Sequence, residues 1–108
     1  MAVQNQSAAF DVSAATTTAV VAAVEGKKIS VYGYAFVNGV ATGNSVQFKS
    51  GSTNLSGVMQ LPLAVGGGIV DNSAADTVAL FTTAAGAALN VTTTAATQVG
   101  GHVAYKYV

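Results

Sequence analysis

Lys27-Lys28-Ile29-Ser30-Val31-Tyr32-Gly33-Tyr34-Ala35-Phe36-Val37-Asn38 alternates from end to end. One parity holds Ile29, Val31, Gly33, Ala35 and Val37, and the other holds Ser30, Tyr32, Tyr34 and Phe36. Successive side chains on a strand point to opposite faces, so a period of two in β-branched and aromatic residues predicts a β-strand. Both parities are largely apolar. Such a strand is central in a two-sided core or is covered by a partner.

The same test extends in both directions. Thr16 to Val24 reads as a first long strand. Val46 and Phe48 alternate with Gln47 and Lys49, and Leu55, Gly57, Met59 and Leu61 alternate with Asn54, Ser56 and Gln60, Val58 being the exception. Val78 and Leu80 alternate with Ala79 and Phe81, and Leu89 and Val91 with Asn90 and Thr92. Val99, Gly101, Val103, Tyr105 and Tyr107 share a parity to the C-terminus. Turn residues separate these runs at Glu25-Gly26-Lys27, Asn38-Gly39, Gly43-Asn44, Ser50-Gly51-Ser52, Gly66-Gly67-Gly68, Asp71-Asn72-Ser73 and Ala85-Gly86. Gly100-Gly101 predicts a bulge or bend inside the last strand. The total is about eight strands, the pattern of an all-β chain folded as a single antiparallel β-sandwich or small barrel. Ser13-Ala14-Ala15 and Thr83-Ala84-Ala85 are too short to nucleate a helix.

With 108 residues the chain makes one domain, read as a β-sandwich over 16–108 with an N-terminal arm or extended segment over 1–15. Only 4 basic and 4 acidic residues are present, and 51% of the chain is apolar. Charged side chains keep a lone domain in solution, so a surface this poor in them is expected to be covered by neighbours. The formal net charge of +0 gives no electrostatic footprint for nucleic acid or an anionic membrane. The most apolar run, Ala19 to Val24, is far short of the roughly 20 residues that span a bilayer, and the polar N-terminus lacks the features of a secretory signal. No Cys is present, so neither a disulfide nor a Cys-based metal site is expected.

Chemistry-bearing residues are few. His102 has no sequence neighbour able to serve as its orienting acid or nucleophile, and no Gly-x-Ser-x-Gly elbow occurs, so it reads as a surface or interface imidazole. Asp71-Asn72-Ser73-Ala74-Ala75-Asp76 resembles a calcium loop only loosely, and Asx-turn capping accounts for both carboxylates. Gly39-Val40-Ala41-Thr42-Gly43 lacks the Lys of a phosphate loop. Catalytic, cofactor-binding and metal-binding residues are therefore expected to be none. The aromatics are more informative. Tyr32, Tyr34 and Phe36 share one parity, and Tyr105 and Tyr107 form a second pair. All five are interface candidates, because tyrosine joins an apolar ring to a hydroxyl that wants a polar partner, with a core role an equal reading for Phe36. On that view Tyr34→Asp disrupts assembly and spares the fold.

The order of these segments is familiar. It runs from Val20-Val21-Ala22-Ala23-Val24-Glu25-Gly26-Lys27-Lys28-Ile29-Ser30-Val31 to Val46-Gln47-Phe48-Lys49-Ser50-Gly51-Ser52-Thr53-Asn54-Leu55-Ser56-Gly57. Gly66-Gly67-Gly68, Leu80-Phe81-Thr82-Thr83-Ala84-Ala85-Gly86-Ala87-Ala88-Leu89-Asn90-Val91 and Val99-Gly100-Gly101-His102-Val103-Ala104-Tyr105 follow. The arrangement resembles small β-sandwich structural proteins of tailed bacteriophages, similar to capsid decoration (cement) proteins, from Val20 onward. The resemblance implies a jelly-roll-like domain on the exterior of the virion capsid, made in the host cytoplasm. It also implies a homotrimer bound to the major capsid protein at local three-fold axes, with residues 1–15 reaching to neighbours. A tail, fibre or head-spike module binding a host receptor or glycan is the alternative. The Thr clusters at 16–18, 82–83 and 92–94 invite an ice-binding reading, but they lack the fixed period that a flat lattice requires.

Overall fold

A computed structural model of the chain describes residues 6–61, 63–72 and 78–108, with ten strands and no helix among them. In chain order they are β1 (Gln6–Val12), β2 (Thr17–Val21), β3 (Ile29–Asn38), β4 (Ser45–Ser50) and β5 (Thr53–Asn54). The second half of the chain supplies β6 (Met59–Gln60), β7 (Gly68–Asn72), β8 (Phe81–Thr82), β9 (Leu89–Thr93) and β10 (Val99–Tyr107). One sheet has the order β1-β10-β3-β7, with β8 also on β3, and the other has β2-β9-β4-β5, with β6 also on β4.

The pairings are nested. β1 pairs β10, β2 pairs β9, β3 pairs β7 and β8, and β4 pairs β5 and β6, all antiparallel. The chain thus runs out and back as one long hairpin, rolled so that β10 meets β3 and β9 meets β4. That is jelly-roll connectivity, a closed way of giving each sheet one face to bury. At the tip, Gly51 takes φ +58° in the two-residue connection from β4 to β5, the backbone a type II′ hairpin needs at its first central position.

The core lies between the inner faces. Ile29, Val31, Val46, Phe48, Leu89, Val91, Val99 and Val103 are fully buried there, each worth roughly 1.5–3 kcal/mol of transfer free energy. Rings join the sheets: Phe48 of β4 stands 5.0 Å from Tyr34, 6.2 Å from Phe36 and 5.3 Å from Phe81 between centroids. Gly101 lies between Phe10 and Phe36 in adjacent strands. A Cβ there would collide with the Ala35 carbonyl oxygen and the two aromatic side chains, so the glycine lets the rings close over the backbone.

Polar pins hold the far end. Asn44, just before β4, is 3% exposed. Its Oδ1 accepts N–H bonds from Ser45 (2.8 Å), Thr94 (3.2 Å) and Ala95 (3.1 Å). Its Nδ2 donates to the carbonyls of Ala95 (3.2 Å) and Thr97 (3.2 Å) and to Thr97 Oγ1 (3.0 Å). One side chain thereby organises the turn from β9 to β10.

Several sequence expectations are corrected. The sandwich does not begin at residue 16: Ala8, Phe10 and Val12 of β1 turn toward the core, and β1 pairs β10 over seven positions. Leu55 to Leu61 is not one strand, because the segment leaves the ladder after β5 and the Ser56 hydroxyl takes the Phe48 N–H at 3.0 Å in place of a backbone partner. Gly68 and Asp71-Asn72, read as turn residues, lie with Ile69 and Val70 in one strand, β7, on β3. The irregularity in the β3–β10 ladder falls at Ala104/Tyr105 and not at Gly100-Gly101.

Candidate functional site

That irregularity decides where the aromatics go. Ala104 faces Gly33 and Tyr105 faces Val31, so β3 carries one extra residue, Tyr32. A bulge reverses the parity beyond it. Ile29 and Val31 before the bulge and Tyr34 and Phe36 after it all face the core. Tyr32 is left out of the core cluster and is covered by Lys106, whose Nζ stands 4.7 Å from the ring centroid. Tyr32, Tyr34 and Phe36 therefore do not form one aromatic face.

Tyr34 and Phe36 are correspondingly lost as interface residues: Phe36 is 1% and Tyr34 9% exposed in the lone chain. The Tyr34 hydroxyl reaches Met59 Sδ at 3.4 Å, and burial first, then the neighbouring Asp71 carboxylate, pushes its pKa up from the usual tyrosine value. A carboxylate at position 34 would lie among Phe36, Phe48 and Phe81, so Tyr34→Asp acts on the fold itself. Tyr105 and Tyr107 are half-buried and stack edge to face at 5.6 Å. The Tyr107 hydroxyl donates to the Ala22 carbonyl at 2.7 Å. Burial first, and Tyr107 second, raise the Tyr105 pKa.

The bulge also sets what the outside of the β1-β10-β3-β7 sheet presents. Registers across the four strands give three outward rows: Ser7, Ala104, Gly33, Asn72; then Ala9, His102, Ala35, Val70; then Asp11, Gly100, Val37, Gly68. Glycine, alanine and valine fill eight of these twelve positions, and one acid, Asp11, sits at a corner. Val70 is 76% and Val37 45% exposed. The surface is low, with His102 standing up from its middle between Ala9 and Ala35. An open hollow of about 190 Å³ lies on one side of the imidazole, over Gly33, Ala35 and Ala104, with Val70, Asp71 and Asn72 of β7 also lining it. A second, of about 280 Å³, lies on the other side over Ala35, Val37 and Gly100.

The outer face of the other sheet differs in kind. Thr17, Thr92 and Gln47 form one row and Ala19, Asn90, Lys49 and Asn54 the next. Their side chains bond locally: Thr17 Oγ1 to Thr92 Oγ1 at 2.7 Å, Asn90 Nδ2 to the Gly51 carbonyl at 2.9 Å and Gln47 Nε2 to the Ser56 carbonyl at 3.0 Å. One broad face is polar, with several side chains bonded locally; the other is made mostly of small apolar side chains.

Neither hollow beside His102 is lined by Ser, Thr or Lys. No group of three or more His, Cys, Asp or Glu able to hold a metal ion occurs among the described residues. Asp71 lies in β7, its Oδ1 accepting the Asn72 N–H at 2.8 Å, whereas Asp76 falls outside the described residues. No helix among the described residues is long and apolar enough to cross a membrane. No protein-family model and no curated protein matches the chain. The site reading therefore stands on geometry: an open sheet face of mostly small, apolar side chains. Ala9, Ala35, Val37 and Val70, none of them among the aromatic interface candidates, make up this face, and the Gly33-x-Ala35-x-Val37 alternation is its signal in the sequence.

Proposed function

We propose that the protein is a non-enzymatic virion structural protein, a capsid decoration protein that binds the outer surface of the major capsid lattice and stabilises the head. The observation that carries this reading is the small-residue, nearly uncharged outer face of the β1-β10-β3-β7 sheet on a chain with only 4 basic and 4 acidic residues. Neutral, small side chains are covered at low desolvation cost, which suits a subunit repeated many times in an assembly. The jelly-roll connectivity and the strand-and-turn resemblance support the same reading.

Co-sedimentation of the purified chain with expanded, undecorated heads of the virus that encodes it is the test. Saturable binding at a stoichiometry matching the lattice is expected, and the ratio reads out whether copies cluster at three-fold axes. Absence of binding by the folded protein overturns the decoration reading in favour of a tail, fibre or receptor-binding part.

A further inference from the structure

We infer that Asn38-Gly39 is a shielded deamidation site, sealed in the folded chain and reactive once the end of the sandwich around it opens. Nothing in this depends on the capsid reading. Six asparagines are present, and Asn38 alone precedes a glycine. That pairing sets the reactivity. Deamidation begins when the backbone nitrogen of the following residue attacks the asparagine side-chain carbonyl carbon. Glycine offers that nitrogen with no side chain in the way.

Only the chain and water take part. The Gly39 nitrogen gives up its proton and bonds to Asn38 Cγ, while Nδ2 leaves with that proton as ammonia. A five-membered succinimide results. Water then opens it at either carbonyl, giving aspartate or isoaspartate, the latter with the main chain running through the former side chain.

Folded geometry blocks the first step at both reacting groups. Asn38 is 0% exposed and ends β3 opposite Val99 of β10. Its N–H donates to the Gly67 carbonyl at 2.7 Å, and its own carbonyl accepts the Gly66 N–H at 2.8 Å, which holds the residue extended. The Gly39 N–H donates to the Gln98 carbonyl at 2.9 Å, and Asn38 Nδ2 donates to the Thr42 carbonyl at 2.9 Å. Nucleophile and leaving group are tied to separate partners, so ring closure requires those bonds to break. Bonds at a strand end open together in local unfolding, which costs less than unfolding the whole domain.

The product does not fit back. Aspartate at position 38 sets an anionic oxygen against the Thr42 carbonyl at a fully buried position. Isoaspartate adds a methylene to the main chain and breaks the pairing of position 38 with Val99. Each opening that reacts therefore marks the chain permanently.

Mass spectrometry of the purified full chain at mildly alkaline pH, in buffer and in concentrated urea, tests it, with peptide mapping that separates Asn38 from Asn44. Asn38 should convert at least about 100-fold more slowly in the folded chain than in urea. Gly39→Ala, read in urea where its Cβ does not meet the Gln98 side chain, should slow the conversion at least about 10-fold. Asn44→Ala loosens the β9–β10 turn that leads to Gln98, and should speed conversion of the folded chain at least about 10-fold. Wild type in urea below its unfolding midpoint gives the same reading without a substitution. Equal rates in buffer and concentrated urea, an Asn38 that stays intact in urea, or a urea rate unchanged in Gly39→Ala overturns the proposal. So does a folded-state rate that neither Asn44→Ala nor dilute urea raises. No capsid is present in this assay, so its outcome is separate from that of co-sedimentation.

Discussion

Replacing Asn44 with alanine is expected to cost about 3–4 kcal/mol of folding free energy. The side chain makes six hydrogen bonds, three as acceptor and three as donor, five of them to backbone groups. A typical bond contributes ~0.5–1.5 kcal/mol net, and a buried group left without a partner costs ~1–3 kcal/mol. Summing six bonds at full value overstates the loss, because Thr94 is exposed and Ala95 and Thr97 are half-exposed, so water can replace part of what is removed. The Ser45 N–H has no such relief, since Ser45 is 2% exposed. A loss of this size is a large part of the ~5–15 kcal/mol that holds a domain together. At roughly 4 °C per kcal/mol it lowers Tm by about 12–16 °C, read by circular dichroism and by urea titration of the same variant. Asn44→Asp should do no better at neutral pH: the acceptor remains, but an anionic oxygen replaces the amide that faces the Ala95 and Thr97 carbonyls. A loss below about 1 kcal/mol for Asn44→Ala would refute the view that this side chain organises the β9–β10 turn.

Two other outcomes follow from the fold. Deleting residues 1–15 removes β1, and with it Phe10 and Val12 from the core, worth about 4 kcal/mol of burial, and exposes the side of β10 that β1 covers. The truncated chain should lose cooperative melting, and an unchanged Tm would show β1 to be dispensable, as a loose arm would be. At high pH, Tyr34 and Tyr105 hold their protons in the folded chain beyond the pH at which an unfolded tyrosine gives its proton up. Both states are protonated below about pH 10, so stability is flat there with respect to these groups; above it the unfolded state binds fewer protons and stability falls. Tyr105→Phe should reduce the slope of urea-derived stability against pH above about pH 10, and a slope identical to wild type would show that Tyr105 carries none of it.

Strand identity was legible wherever one side chain in two is apolar, because that period is a local property of an extended chain. β3, β4, β9 and β10 are the cases. Ala8-x-Phe10-x-Val12 carries the same signal among polar neighbours, while β7, made from Gly68, Ile69, Val70, Asp71 and Asn72, has almost no strand signature and pairs with the edge that β3 offers. The face assignment of Tyr34 and Phe36 was not legible at all. Their parity with Tyr32 is plain in the sequence, yet the extra residue that reverses it is defined only against Tyr105 and Ala104, more than seventy positions away. Local alternation thus determined that the chain is all-β and where most strands run, since one residue's neighbours suffice for that. Which aromatics are buried, and that glycine, alanine and His102 form the open outer face, was decided by strand pairing, because register is a relation between distant segments and one residue's slip turns every side chain beyond it to the other side.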